Sequence, residues 1–278
     1  MVFRSKSSRR IGLNCRENVT MPEPVLIEVC VDSVVSALAA ERGGAQRVEL
    51  CSDLLEGGVT PSCGLLGVVR SSVSIDVYPI IRPRPGDFCY SEQEFETMCR
   101  DIEVARKEGA DGVVLGILKI DGNVDIDRTR QLVEVARPLP VTFHRAFDMS
   151  ADLFRSLEDV CASGAQRVLT SGGEQECLHG VDTLARLVKA SRGRIKLMAG
   201  GRIGINNAAT IIEHTGVTEI HVGLATAVTS PMFHRNPRLS LGKAPGHEQH
   251  RTQVLEESVR KLKNAISVIR TQTTLPQG

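Results

Sequence analysis

The chain has 278 residues, with 34 basic and 33 acidic side chains and a net charge of +1. This balance argues against a protein that needs a basic surface to hold nucleic acid or a membrane. No run of about 18 apolar residues exists, so no membrane span is predicted. Hydrophobic residues make up 41% of the chain, but aromatic residues only 3%, and Trp is absent. The core must therefore be aliphatic, as is typical of strands covered by helices on both faces.

The N-terminal segment differs in composition from the rest of the chain. Residues 1–22 contain Arg and Ser but no acidic residue before Glu17. This composition predicts a disordered basic tail, and a mitochondrial presequence is the alternative interpretation. We assign residues 1–22 to this tail and residues 23–278 to a single folded domain.

From residue 25 onward, short apolar runs alternate with amphipathic stretches, a pattern that favours β-strands joined by helices in a parallel sheet. The predicted strands cover residues 25–30, 47–51, 77–81, 112–116, 141–147, 167–170, 195–200 and 219–223. The predicted helices lie near residues 32–43, 61–72, 91–108, 125–136, 150–162, 175–191, 204–214 and 249–270. Eight such units predict an α/β fold, a single (β/α)8 TIM barrel. The alternative is an open doubly wound sheet, but no G-x-G-x-x-G motif follows the first strand.

A short repeat precedes each even-numbered strand, in the segments GGAQRVEL, GADGVVLG, GAQRVLTSG and GVTEIHVG. Each segment has a glycine followed by an Ala or Val that re-enters the core. These glycines are predicted to end helices in the left-handed conformation. They are Gly44, Gly109, Gly164 and Gly216. Because they recur once every two strand–helix units, they support a closed barrel.

The cysteines are scattered and include no C-x2-C pair, at positions 15, 30, 51, 63, 89, 99, 161 and 177. This spacing argues against both a disulfide scaffold and a structural zinc cluster, and it favours a reducing cytoplasm. Cys89 lies in the loop after the third strand and is a candidate third thiol for any site at that end of the barrel.

The first two strands both end in Glu-x-Cys, namely Glu28-Val29-Cys30 and Glu49-Leu50-Cys51. Side chains two residues apart lie on the same face of a strand, and neighbouring strands are about 4.8 Å apart. Two carboxylates and two thiols could therefore meet inside the barrel. The alternative is that Cys30 and Cys51 are small buried hydrophobes. Soft thiolates select Cu(I) or Zn.

Arg82 and His144 follow the third and fifth strands and are expected at the same end of the barrel. They could neutralise Glu28 and Glu49, because buried charges must be paired. One interpretation is a structural ion network. The other is a polar site for an anion with His144 as proton carrier.

At the rim beside His144, Arg145 and Asp148 are expected to pair with each other.

Glycine-rich loops follow the sixth and seventh strands. Loops of this kind, which lead into helix N-termini, often hold phosphate in barrels. The alternative is that they are simply tight turns. The predicted anion-binding residues are Thr170, Ser171, Gly172, Gly200 and Gly201, with Arg202 nearby. In the eighth strand, the pattern leaves open whether His221 faces the barrel interior or packs outside.

Several longer strings resemble one family. They are LIEVCVDS, RVELCSDLLEGGVTPS, IIRPRPGDFCYS, LPVTFHRAFDM, RVLTSGG and PMFHRNPRLS. Over roughly residues 25–245 the chain is similar to the CutC copper homeostasis family. The resemblance implies a (β/α)8 barrel, residence in the cytoplasm and in some cases also the nucleus, and self-association as a dimer or tetramer. It also implies Cu(I) binding at Cys30 and Cys51. The sequence departs from the bacterial pattern EVHSSA at the eighth strand, where it reads EIHVGLA, and this weakens any site that depends on hydroxyl groups there.

Two functions are therefore predicted. The first is a copper homeostasis protein that binds about one Cu(I) per chain and acts as chaperone, buffer or sensor. The alternative is an enzyme for a small anionic or phosphorylated metabolite, although the sequence assigns no reaction. Its candidate catalytic residues are Glu28, Glu49, Arg82 and His144.

Overall fold

The computed structural model describes residues 24–234, 236, 238, 239 and 250–273. The strands are β1 (Leu26–Val31), β2 (Arg47–Leu50), β3 (Asp76–Pro79), β4 (Val113–Leu115), β5 (Val141–Phe143), β6 (Arg167–Thr170), β7 (Lys196–Ala199), β8 (Glu219–Val222), β9 (Ala225–Thr229) and β10 (His250–Val254). The α-helices are α1 (Val34–Gly43), α2 (Cys63–Ser72), α3 (Glu92–Lys107), α4 (Ile126–Ala136), α5 (Leu153–Ser163), α6 (Val181–Ser191), α7 (Ala208–Thr215) and α8 (Glu256–Thr273). Short 3-10 helices cover Leu54–Glu56 and Arg145–Met149. The predicted tail, residues 1–22, lies outside the described residues.

The first eight strands form a closed parallel barrel. Their hydrogen-bonded order is β3-β2-β1-β8-β7-β6-β5-β4. A parallel bridge between Ile80 and Val114 joins the two ends of this order, and the Ile81 amide donates to the Val114 carbonyl at 2.7 Å. The helices alternate with the strands, which confirms the predicted (β/α)8 TIM barrel.

The predicted glycine caps are present before the even-numbered strands. All four glycines, from Gly44 to Gly216, have φ angles between 71° and 95°. Gly44 also donates its amide hydrogen to the carbonyls of Ala40 and Glu41, closing the end of α1. Only residues without a Cβ adopt this conformation readily, so the repeat marks four helix exits.

The buried residues include one large apolar cluster, a smaller one of Cys51, Tyr78, Ile80 and Val114, and several charged side chains. The glycines on either side of β4 make room for large side chains. A Cβ on Gly112 would lie 2.4 Å from the Tyr78 ring, and one on Gly116 would lie 2.6 Å from the His144 ring. Close packing of this kind positions both rings.

The structure differs from the sequence prediction after β8. A helix was predicted over residues 249–270, but the chain first forms β10, which pairs antiparallel with β9, and α8 begins only at Glu256. This hairpin is mostly exposed, so its residues carry no apolar alternation that would predict strands. Within the described ranges, no helix is long and apolar enough to cross a membrane.

Candidate metal centre

Two cysteine thiols meet at the C-terminal ends of β1 and β2. The Cys30 and Cys51 Sγ atoms are 3.7 Å apart. Backbone pairing sets this distance, because Cys30 lies opposite Glu49 and the Cys51 amide donates to the Val31 carbonyl at 2.9 Å. One ligand atom from each of Cys30, Glu49 and Cys51 lies within 4.8 Å of the others. We call these three residues the thiol cluster.

His221 on β8 lies beside the thiol cluster. Its Nδ1 is 2.7 Å from Glu28 Oε1, and its Nε2 is 3.8 Å from Glu49 Oε2. The backbone register places His221 opposite Glu28 on β1. The side chain therefore faces the barrel interior, which decides between the two orientations that the sequence left open.

A layer of buried ion pairs lies beneath the cluster. Arg47 forms salt bridges with Glu28 and Glu219, the latter at 2.7 Å. Arg167 also pairs with Glu219 and donates to the Thr142 hydroxyl at 3.1 Å. These charges are buried together, which offsets part of their cost of desolvation.

The prediction that Arg82 neutralises Glu28 and Glu49 is wrong. Arg82 instead donates to the backbone carbonyls of residues 56, 58 and 86, at 2.8 to 3.0 Å. Glu28 is paired by Arg47 and His221, and Glu49 by His221. The sequence pattern suggested that the compensating cation is Arg82, which follows the third strand. In the structure it is Arg47, the first residue of β2.

The sequence contains a pattern that could have predicted this layer of buried ion pairs. Arg47, Arg167 and Glu219 each begin an even-numbered strand, three residues after its capping glycine. The repeat that predicted closure therefore also places three charged residues at equivalent positions. At the fourth equivalent position, Gly112 makes room for Tyr78.

The two thiols have different acidities. The hydrogen bond from Cys51, together with His221, lowers the pKa of Cys30 to about 6 despite burial. The hydrogen bond to Cys30, together with burial, raises the pKa of Cys51 well above its usual value. Near neutral pH the pair therefore holds one thiolate and one thiol, and the thiolate is the form that binds metal.

The two carboxyl groups also differ. Burial and the charge of Cys30 raise the pKa of Glu49 to about 8. Burial also favours a raised pKa for Glu28, but Arg47 and His221 outweigh it and lower the value to about 2. Opposing forces act on His221 as well: burial lowers its pKa, but Cys30 and the two carboxylates raise it well above the usual value. Glu28 is thus a fixed negative charge, while Glu49 holds a proton that an incoming cation can displace.

His144 does not have the environment of a proton carrier. Its side chain is buried, and burial and the charge of Arg82 lower its pKa to about 3. Its Nδ1 accepts a hydrogen bond from the Ala146 amide at 3.1 Å. His144 is therefore a neutral imidazole with its proton on Nε2. This corrects the expectation that it compensates the two glutamates.

The glycine loop after β6 is already occupied by a carboxylate from the segment after β5. Asp148 accepts hydrogen bonds from the amides of Ser171 and Gly173 at 3.0 to 3.1 Å, and from the Thr170 hydroxyl. Arg145 pairs with Asp148 at 2.8 Å, as predicted. We call Asp148 with these donors the Asp148 cradle.

The other predicted anion-binding residues also have partners in the protein. The Gly172 amide donates to the Thr170 hydroxyl at 2.9 Å, and the Gly200 amide to the Thr170 carbonyl at 3.0 Å. At Gly201 it is the carbonyl that is engaged, as acceptor from the Cys177 amide, which leaves the role of the Gly201 amide a prediction. An external anion would have to displace Asp148, so the geometry here favours the tight-turn interpretation over an open phosphate site.

The remaining described cysteines lie apart from the thiol cluster. Cys89 is in the rim loop after β3, and in the part of the chain that the structure describes it joins no group of potential metal ligands. Every described cysteine is free rather than disulfide-bonded. Cys15 is outside the described residues.

Comparison with known proteins assigns the chain to a family. The model of the CutC family matches residues 25–226. The chain belongs to the CutC family. A copper homeostasis protein cutC homolog from Mus musculus is 47% identical over 242 residues, covering 87% of this chain and 89% of the relative. A CutC family protein of Chromobacterium violaceum is 44% identical over 241 residues, covering 87% of this chain and 98% of the relative.

Solved structures agree with this assignment. The crystal structure of a CutC protein from Streptococcus agalactiae superposes with a TM-score of 0.68 and 32% identity, covering 71% of this chain and 97% of the other. Thiamine phosphate pyrophosphorylase from Pyrococcus furiosus superposes with a TM-score of 0.55 at 16% identity, covering 88% of this chain and 96% of the other. The second likeness concerns the barrel fold alone.

Proposed function

We propose that this CutC protein acts in copper homeostasis by binding one Cu(I) ion per chain between Cys30 and Cys51. The observation that carries the proposal is the 3.7 Å separation of the two Sγ atoms. Metal–sulfur bonds in thiolate sites are about 2.3 Å long. One ion can therefore contact both sulfurs without any movement of the strands.

The donor set favours Cu(I) over zinc. Soft thiolates select Cu(I), which accepts few ligands, whereas structural zinc sites need four ligands in a tetrahedron. Beyond the two thiols, the cluster offers only Glu49 as a third ligand. His221 lies close by, but its Nδ1 is engaged by Glu28 at 2.7 Å.

The surrounding charges support loss of protons when the ion binds. Cys30 has a lowered pKa and is already the better ligand, while Cys51 must release its proton. A bound cation stabilises both thiolates and takes over the role of the hydrogen bond between them. His221 and Arg47 hold the neighbouring negative charge of Glu28, so the added thiolate is less strongly opposed.

Copper titration of a cysteine double variant tests this function. Under reducing conditions the wild type should take one Cu(I) per chain from a chromogenic chelator. The Cys30→Ser/Cys51→Ser variant should take none, because serine hydroxyls do not replace soft thiolates. A Cys63→Ser/Cys161→Ser variant is the matched control, since it removes two thiols outside the cluster. Stoichiometric uptake by the first variant would place the site elsewhere.

Self-association is also part of this proposal. Several large apolar side chains are exposed on the loops that follow the barrel strands, a feature that often marks contact surfaces. They include Leu55, Ile120, Met149, Met232 and Phe233. Light scattering should give the mass of a dimer or tetramer, and a monomer mass at micromolar concentration would contradict it.

We further propose that the protein works in the cytoplasm, with a nuclear pool as a second location. The free cysteines fit a reducing compartment. Imaging of the tagged full chain tests this, and recovery in an oxidising compartment would contradict it.

A further inference from the structure

Three buried polar atoms near the barrel mouth have no hydrogen-bond partner. They are Arg82 Nε, Tyr90 Oη and His144 Nε2, and they are the only such side-chain atoms among the described residues. The three residues are 6%, 4% and 4% exposed. Buried polar groups in proteins are almost always satisfied, so unsatisfied ones call for an explanation such as a missing ligand.

The three residues belong to one region. Arg82 and Tyr90 stand at the two ends of the loop after β3, and His144 follows β5. The Phe88 ring contacts two of them, with its centroid 5.1 Å from Arg82 Cζ and 5.0 Å from the His144 ring. The charge of Arg82 also acts on the pKa of both other groups, opposing the burial that raises the pKa of Tyr90 and adding to the burial that lowers that of His144.

All three atoms can donate a hydrogen bond. Arg82 Nε carries a hydrogen, and the two terminal nitrogens of its guanidinium already donate to backbone carbonyls. His144 Nδ1 accepts from the Ala146 amide, so its proton lies on Nε2. Tyr90 contributes a hydroxyl. The Tyr90 hydroxyl can also accept, but Arg82 Nε and His144 Nε2 can only donate, so the missing partner must offer an acceptor to these two atoms.

The charge of Arg82 also indicates that the missing acceptor is an anion. Arg82 is a buried cation, and within the described ranges no carboxylate lies within salt-bridge distance of it. Buried charges are normally paired. A water molecule could accept from Arg82 and His144, but within this group of three residues only the Tyr90 hydroxyl could accept from it, and a neutral water would not neutralise the charge of Arg82.

We propose that Arg82, Tyr90 and His144 bind an oxyanion, namely the carboxylate or phosphate group of a small ligand. This site is separate from the thiol cluster and from the Asp148 cradle, whose donors are already used. It adds Tyr90 to the residues that sequence reasoning considered, and it gives Arg82 and His144 the role of hydrogen-bond donors to the ligand.

Anion titration followed at His144 tests the proposal. The full chain is labelled with nitrogen-15 at histidine, and the Nε2–H signal of His144 is assigned with a His144→Gln variant. Inorganic phosphate and acetate are the two probes, and the one that binds more tightly identifies the class of oxyanion. We expect saturable movement of this signal with at least one probe. An unchanged signal at tens of millimolar of both would overturn the proposal.

A matched pair of tyrosine variants makes the test specific. Tyr90→Phe removes a hydroxyl that lies beside Arg82 but makes no hydrogen bond of ordinary geometry in the protein, so it should weaken anion binding about tenfold, the effect of one lost hydrogen bond to a charged group. Tyr78→Phe makes the same change at the other tyrosine of the chain and should bind as the wild type does. Equal affinity in Tyr90→Phe and the wild type would contradict the site.

This site can be tested independently of copper. The Cys30→Ser/Cys51→Ser variant, which tests the copper proposal, should keep the full anion response at His144. Loss of that response in the cysteine variant would contradict a separate oxyanion site, whatever the outcome for copper.

Discussion

The thiol cluster and the Asp148 cradle both lie at the ends of barrel strands, but their polar groups have different partners. In the cradle, Asp148 fills the space between the amides of Ser171 and Gly173. In the thiol cluster, the sulfurs of Cys30 and Cys51 have only each other and neighbouring titratable groups. Polar residues at a strand end are thus available to an external ligand only where the chain does not itself satisfy them.

The largest effect is expected from the buried ion pairs that lie beneath the thiol cluster. Arg47→Met leaves Glu28 and Glu219 buried with less compensation, and it should lower the free energy of unfolding by about 3–5 kcal/mol. Urea denaturation measures this. Arg100→Met is the matched control, because Arg100 pairs with Glu96 on the exposed face of α3 and its loss should cost about 0–1 kcal/mol. Equal losses of unfolding free energy in the two variants would show that the buried ion pairs contribute no more to stability than an exposed pair.

Removal of the Asp148 carboxylate should leave the cradle able to bind an external anion. Asp148→Ala leaves the Ser171 and Gly173 amides and Arg145 without their partner, which should cost about 3 kcal/mol. Formate should restore part of this loss by binding in place of the carboxylate. The melting temperature with and without formate measures the rescue. Asp121→Ala, at an exposed aspartate, is the control, and a gain from formate no larger than in this control would argue against the cradle.

The ion pairs also predict how stability depends on pH. Burial raises the pKa of Glu219, but Arg167 and Arg47 outweigh it and hold the value below its ordinary 4.5. A lowered pKa contributes stability that is present above 4.5 and is lost as the pH falls through the folded-state value. The loss for this one proton is at most about 1.4 kcal/mol per pH unit. Urea titrations between pH 5 and lower values should show a smaller slope for Glu219→Gln than for the wild type, and identical slopes would contradict the pairing.

The smallest effect is expected from the rim thiol. Cys89→Ser should leave Cu(I) affinity unchanged, because Cys89 belongs to no ligand group in the described structure. Competition with a chelator measures this. Weaker binding in the variant would extend the site from the thiol cluster to the loop after β3.

The sequence predicted the barrel because eight strand–helix units and four glycine caps agree with one another. It also predicted that Cys30 and Cys51 meet, because the Glu-x-Cys pattern ends two neighbouring strands and fixes which side chains point inward. These features depend on local periodicity. The hairpin of β9 and β10 has no such periodicity and was missed.

The partners of the charged residues could not be predicted in the same way. Pairing depends on which side chain reaches across the interior: Arg47 reaches Glu28 and Glu219, while Arg82 turns to backbone carbonyls. The acidity of His144 likewise depends on burial and on the charge of Arg82. Neither property can be predicted from the order of residues along a strand.

X-ray absorption at the copper edge, on the protein loaded with one Cu(I) per chain, tests directly whether the thiol cluster holds the ion. We predict two sulfur neighbours per copper, since Cys30 and Cys51 are the pair of thiols in the described structure that can contact one ion. The Cys30→Ser/Cys51→Ser variant, treated with Cu(I) in the same way, should retain no copper and give no copper–sulfur signal. A copper surrounded only by nitrogen and oxygen in the wild type would contradict the proposal that the thiol cluster holds the ion.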